Sequence, residues 1–349
     1  MNSRERVNAV FSEGGIPDRM PRWCGMSDEF RKKAKRELGL NDEELLVRFK
    51  DDFRRAGSVY RGPLDNLSQG ATWRSPFGVE REGIGYGMPL THPLSEASDP
   101  EEIENYPWPD PDWADISGLR KEIEKYGGEY AVLGGEWSPF WHDAIDLAGH
   151  ENLYFMMYDY PETVELLFER ITDYYREASR RAFEEAGDLM DIFFIGNDLG
   201  SQTGPLLGVD LFRQFLLPQL KRLIDLGHEY GLKVMMHCCG GYRPLIPDLI
   251  AAGMDGLHAL QPDCHGMEPA SLKGEFGSKI VLNGGIDSHH ILINGSSPEQ
   301  VRRQCREVLE VMAPGGRYIA GASHDTILEE TPVENVLAMF DAVDDYGPY

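Results

Sequence analysis

From residue 129 onward, short apolar runs alternate with longer segments whose apolar positions recur at helical spacing. EYAVLGGEW (129–137), DIFFIGNDLG (191–200) and LKVMMHCCG (232–240) predict strands, and DGLHALQ, SKIVLNGGID and GRYIAGASHD predict three more. Between and after them, helical spacing appears at 161–187, ending at Gly187, and at 211–231, where Pro218 predicts a kink. Further helices are expected near YRPLIPDLIAAG, at 298–313 and at 332–347. Strands that alternate with helices imply right-handed crossovers and a parallel sheet. PRWCG (21–25) and FRRAGSVYRG (53–62) supply two more candidate strands, enough to close a (β/α)8 TIM barrel.

The segment 63–116 breaks this pattern. It is rich in Pro, Gly and Trp and lacks periodicity, so it reads as a long lid-like insertion at the barrel mouth, within one barrel domain spanning 1–349. A doubly wound open sheet is the rival architecture. It calls for a Gly-rich nucleotide loop after the first strand, and GIGYG (83–87) has no apolar strand before it.

Polar residues end nearly every predicted strand. Glu136 and Trp137 follow VLGG, Asn197 and Asp198 follow FFIG, and His237 and Cys239 follow VMM. Gln261 and Asp263 follow LHAL, Asp287 follows VLNGGI, and His324 and Asp325 follow YIAGAS. In a barrel these ends converge on one mouth, where active sites of the fold lie.

His237 and Cys239 form an H-x-C pair. Alternate strand residues point the same way, so the imidazole and the thiolate are placed to share one ion, with Cys238 facing the helix layer. The blander alternative is a satisfied histidine beside a small core thiol. Adjacent cysteines lack the spacing of dithiol oxidoreductases, which disfavours a redox pair. Cys264 and His265 are minor candidate ligands near the same mouth, and His289–His290 reads as a solvated pair. In Asp51–Asp52, one carboxylate is expected to cap backbone while the other, Asp52, is free to meet a cationic group of the substrate.

Composition narrows the partners. The formal charge of −25 disfavours nucleic acid and anionic membranes, which are themselves polyanions. No apolar stretch approaches a membrane span, and the first residues lack a signal-peptide core, so the cytoplasm is the expected compartment. Five cysteines, an odd and low count, suggest free thiols or metal ligands rather than a disulfide framework. A homodimer stays open.

Taken in order, NSRERVNAVF…PDRMPRW, DDFRR, DLGSQTG, HCCGG, IPDLIAAGMDGLHALQP, LNGGID and GASHDTILEETPVENVLAMFDA resemble the uroporphyrinogen decarboxylase superfamily, in its branch of corrinoid-dependent methyltransferases. The resemblance covers most of the chain, above all 190–345. It implies a TIM barrel, a zinc ion on His237 and Cys239, and a corrinoid (cobalamin) carried on a separate partner protein. It also implies a small methylated substrate, a methoxylated aromatic compound among the candidates.

The methyltransferase pattern places a third cysteine ligand near the last strand. This chain has GASHD there, which leaves His324 as third ligand or general acid, beside Asp325. Asp198 and Glu136 are the other catalytic candidates; Asp52, Trp137, Gln261 and Asp287 are the substrate-binding ones. The arginine-rich RQAGRYLP segment of the porphyrinogen decarboxylases is absent, PRWCGMSDEFRKKAK standing in its place. A metal-free carboxy-lyase is therefore the second reading, and a non-catalytic ligand-binding barrel the third.

Overall fold

The computed structural model describes residues 1–63, 72–83, 87–295, 297–347 and 349. Its centre is an eight-stranded parallel sheet: β1 (Arg22–Trp23), β2 (Phe53–Arg55), β3 (Ala131–Gly134), β4 (Ile192–Gly196), β5 (Lys233–His237), β6 (Gly256–Leu260), β7 (Val281–Gly284) and β8 (Tyr318–Gly321). Sequential strands pair from β2 to β8, and β8 pairs with β1. This is the order of a TIM barrel and not of a doubly wound sheet. Most of GIGYG lies outside the described residues.

The seam between β1 and β2 closes through one residue. The Asp52 N–H donates to the Arg22 carbonyl at 3.1 Å, and the Arg22 N–H donates to the Asp52 carboxylate at 2.8 Å. Asp52 also accepts from Arg6 Nη1 (3.0 Å) and from both terminal nitrogens of Arg19 (2.7 and 2.8 Å). It stands before β2, at the barrel floor, and is fully buried. The expected substrate contact at Asp52 is thus replaced by a structural one, because the residue preceding a strand faces the end opposite the mouth.

Helix α1 (Ser3–Phe11), started by an Asn2–Glu5 capping box, seals that floor. Its Val7, Val10 and Phe11 meet Trp23, Phe53, Ile192, Phe194 and Met235 in one apolar cluster, the filling of the barrel interior. A larger cluster joins the outward strand residues, such as Val132 and Ile195, to the surrounding helices.

The helices match the periodicity closely, with α2 at Pro161–Ala186, α3 at Pro298–Met312 and α4 at Val333–Tyr346. Over 211–231 the kink expected at Pro218 takes the form of a π-helical turn, Phe212–Leu216, immediately before the helix Leu217–Glu229. Widening the helix there accommodates a residue with no N–H and a ring that crowds the preceding turn.

The described part of 63–116 forms short antiparallel pairings, such as Thr72–Arg74 with Glu80–Glu82. Its aromatic residues pack on the outside of α2: Phe77 lies 5.5 Å from Tyr174 and 5.7 Å from Tyr175, ring to ring. None of its described residues lines the mouth cavity set out below.

Candidate functional site

Strand β5 carries His237 at its last position, and the chain then turns through Cys238, Cys239 and Gly240. Gly240 has φ +83°, and a Cβ there would sit 2.3 Å from the Gly200 carbonyl carbon. Only glycine lets the two backbones meet so closely. The Gly240 N–H donates to Gln261 Oε1 at 2.5 Å, and the Cys239 N–H to Asp198 Oδ1 at 2.8 Å. Gln261 therefore anchors the turn. Cys239 lies just beyond the strand, yet its sulfur stays on the His237 side.

Three donor groups meet at this point. Cys239 Sγ is 3.3 Å from His237 Nε2, which is 3.4 Å from Asp198 Oδ1. One ligand atom from each residue lies within 4.8 Å of the others. Cys238 turns away, its sulfur accepting from the Leu199 N–H, so the adjacent thiols face different surroundings.

Burial opposes ionisation of Asp198. Hydrogen bonds from His142 and His237 outweigh it and hold the carboxyl well below its usual range. Burial, then the neighbouring Asp198 charge, raises the Cys239 thiol well above its ordinary value. A half-buried carboxylate and thiol beside a buried imidazole form a donor set that a cation would satisfy.

The sequence did not single out His258. It pairs with His237 across β5 and β6, and the two Nδ1 atoms are 3.1 Å apart. Burial, reinforced by the His237, Arg55 and His324 charges, depresses its pKa well below the usual histidine value. Asp325 joins His237 and His258 in a second donor group, with ligand atoms within 4.8 Å. The Arg55 guanidinium donates to Asp325 at 3.2 Å.

The remaining candidates divide. Trp137 lines a cavity of about 390 Å³ together with Arg55, Ser58, Gly135 and Phe194. Its indole is 5.5 Å from the His237 ring, and any Cβ at Gly196 would collide with it. Glu136 is half-buried, burial raises its pKa, and it accepts from Ser58 Oγ at 2.5 Å. Asp287 caps a turn through the N–H groups of His289 and His290 and pairs with His290 Nδ1 at 2.8 Å. His324 turns its Nδ1 to the Thr326 N–H and joins no donor group with His237 and Cys239 among the described residues. Cys264 likewise stays outside those groups, its sulfur 3.8 Å from Gln261 Oε1.

The model of the uroporphyrinogen decarboxylase (URO-D) family matches residues 89–346. The chain belongs to the URO-D family. A uroporphyrinogen decarboxylase of Magnetococcus marinus is 24% identical over 246 residues, which span 66% of this chain and 63% of that protein. The methylcobamide:CoM methyltransferase MtbA of Methanosarcina mazei is 24% identical over 292 residues, 78% of this chain and 79% of the relative. The solved structure of a methyltransferase from Methanosarcina mazei superposes with a TM-score of 0.70 at 19% identity, covering 99% of both chains. That superposition bears on the fold. The chain is thus similar to proteins named for two different reactions. Among the described residues, no helix is long and apolar enough to cross a membrane.

Proposed function

We propose that this protein is a methyltransferase that moves a methyl group between a small methylated compound and the corrinoid of a separate protein, with zinc held by His237, Cys239 and Asp198. The observation that carries the proposal is the meeting of imidazole, thiol and carboxylate at the mouth, beside an open cavity. Zinc accepts mixed nitrogen, sulfur and oxygen ligands, and three protein ligands leave a position for substrate. The similarity to MtbA points the same way. Asp198 takes the third place in preference to His324.

Zinc, when bound, supplies Lewis acidity toward the heteroatom that the methyl group leaves. For His237 Nε2 to serve as a ligand, its proton must sit on Nδ1, where His258 Nδ1 stands at 3.1 Å to accept it. In the demethylating direction the carbon–heteroatom bond breaks and the heteroatom keeps the electron pair. The reduced acceptor provides the pair for the new bond to carbon, and the heteroatom takes up a proton. Glu136, whose pKa burial raises above the usual carboxylate value and which accepts a hydrogen bond from the cavity residue Ser58, is the group we assign to that proton.

A metal-free decarboxylase fits less well. Asp198, Asp263, Asp287 and Asp325 crowd the mouth region, a poor setting for a substrate with many carboxylates. The test is anaerobic incubation with cob(I)alamin and a panel of methyl ethers, methylamines and methyl thioethers. Loss of the cob(I)alamin absorbance with release of the demethylated product is expected for one donor class, and its abolition in Cys239→Ser. Carbon dioxide release from carboxylated substrates without any methyl transfer would carry the lyase reading instead.

A further inference from the structure

We infer that the cavity beside the metal triad takes an aromatic carboxylate, with Arg55 holding the carboxylate end. This rests on the proposed reading of that cavity as the methyl-donor site. Arg55, at the last position of β2, is the cation among the described residues that line the cavity, in a chain of net charge −25. Its guanidinium carbon lies 5.1 Å from the ring centroids of both Trp23 and Phe194. The two rings restrain the side chain without using its N–H groups. One nitrogen donates to Asp325, and the side chain is 50% exposed, so donors remain for an incoming anion.

A planar fork of N–H groups matches a carboxylate in two parallel bonds. Asp325 need not be stranded when that happens, because its carboxylate also lies among the nitrogens of His237 and His258. The walls argue for the rest of the ligand. Trp137 and Phe194 stand 5.2 Å apart at 56°, and Trp137 continues to the His237 ring. A flat ring against Trp137 would lie between the Arg55 guanidinium and the indole that neighbours the His237 ring. The substrate class is therefore an aromatic acid.

Binding alone tests this. The zinc-loaded protein is titrated with benzoate, 4-hydroxybenzoate, benzamide and cyclohexanecarboxylate, followed by tryptophan fluorescence and calorimetry. Benzoate is expected to bind at least about tenfold tighter than the neutral amide and than the saturated acid. Arg55→Ala is expected to lose the acid-over-amide preference while benzamide binding is unchanged, and Arg55→Lys to recover part of it. Equal binding of acid and amide, no saturable binding of either aromatic acid, or an intact preference in Arg55→Ala would overturn the inference. If the alanine variant does not fold, the wild-type comparison and Arg55→Lys decide the matter. No methyl transfer is needed, so failure of the cobalamin assay with acid binding intact counts only against the methyltransferase reading.

Discussion

Replacing Asp52 by alanine removes the acceptor of four hydrogen bonds at the barrel seam, from Arg6, from both terminal nitrogens of Arg19, and from the Arg22 N–H. Arg19 is 23% exposed and recovers water, but Arg6 is only 8% exposed and keeps Asp18 as its remaining acidic partner. Breaking a buried ion pair from one side costs about 3–5 kcal/mol, and a buried unsatisfied N–H costs about 1–3 kcal/mol. The Asp18 contact offsets part of this, so the expected loss in Asp52→Ala is roughly 3–5 kcal/mol. Asp52→Asn keeps an acceptor for the Arg22 N–H and is expected to lose about half as much. Urea denaturation followed by far-ultraviolet circular dichroism reads both values, and benzoate titration of folded Asp52→Asn should match the wild type. A loss below about 1 kcal/mol in the alanine variant, or weakened ligand binding at full stability, would refute the seam account and return Asp52 to the substrate.

Other substitutions test separate parts of the structure. Gly240→Ala places a side chain at φ +83° against the Gly200 backbone, and should cost roughly 1–3 kcal/mol in thermal denaturation while weakening zinc retention through Cys239. Cys238→Ala, which alters the buried thiol facing Leu199, should retain zinc in the assay where Cys239→Ser does not. Burial raises the Asp51 pKa to about 7, against about 3.9 in an unfolded chain. The unfolded chain releases that proton first, so this group's contribution is flat below about pH 4 and turns against folding as pH rises to about 7, by up to roughly 4 kcal/mol. Urea midpoints at pH 5 and pH 8 should show Asp51→Asn gaining on the wild type at the higher pH; a constant difference between the two would count against a raised pKa.

The mouth was legible because parallel strands buried on both faces read as apolar runs, and the first polar residues after each run mark the rim. His237, Cys239 and Asp198 are rim residues of this kind. Asp52 was misplaced because a carboxylate beside a two- or three-residue strand carries no sign of which end it occupies, although its position before FRR puts it on the floor. His258 was hidden inside DGLHALQ, where a single imidazole resembles one polar position in a buried strand. Its register opposite His237 is a property of the paired sheet. Arg55 faces the interior because β2 alternates, but with only three residues that alternation is too short to read. The aperiodic segment 63–116 was expected to lid the mouth, whereas its described aromatic residues cover α2, and the cavity takes its aromatic walls from Trp137, after β3, and Phe194, within β4.

The central claim is a metal held by His237, Cys239 and Asp198. Its most direct measurement is elemental analysis of the purified protein beside Cys239→Ser, Asp198→Asn and His324→Ala, prepared without chelator. About one zinc per chain is expected in the wild type and in His324→Ala, with loss in the other two. A metal-free wild type, or zinc that survives Asp198→Asn but not His324→Ala, would contradict the account.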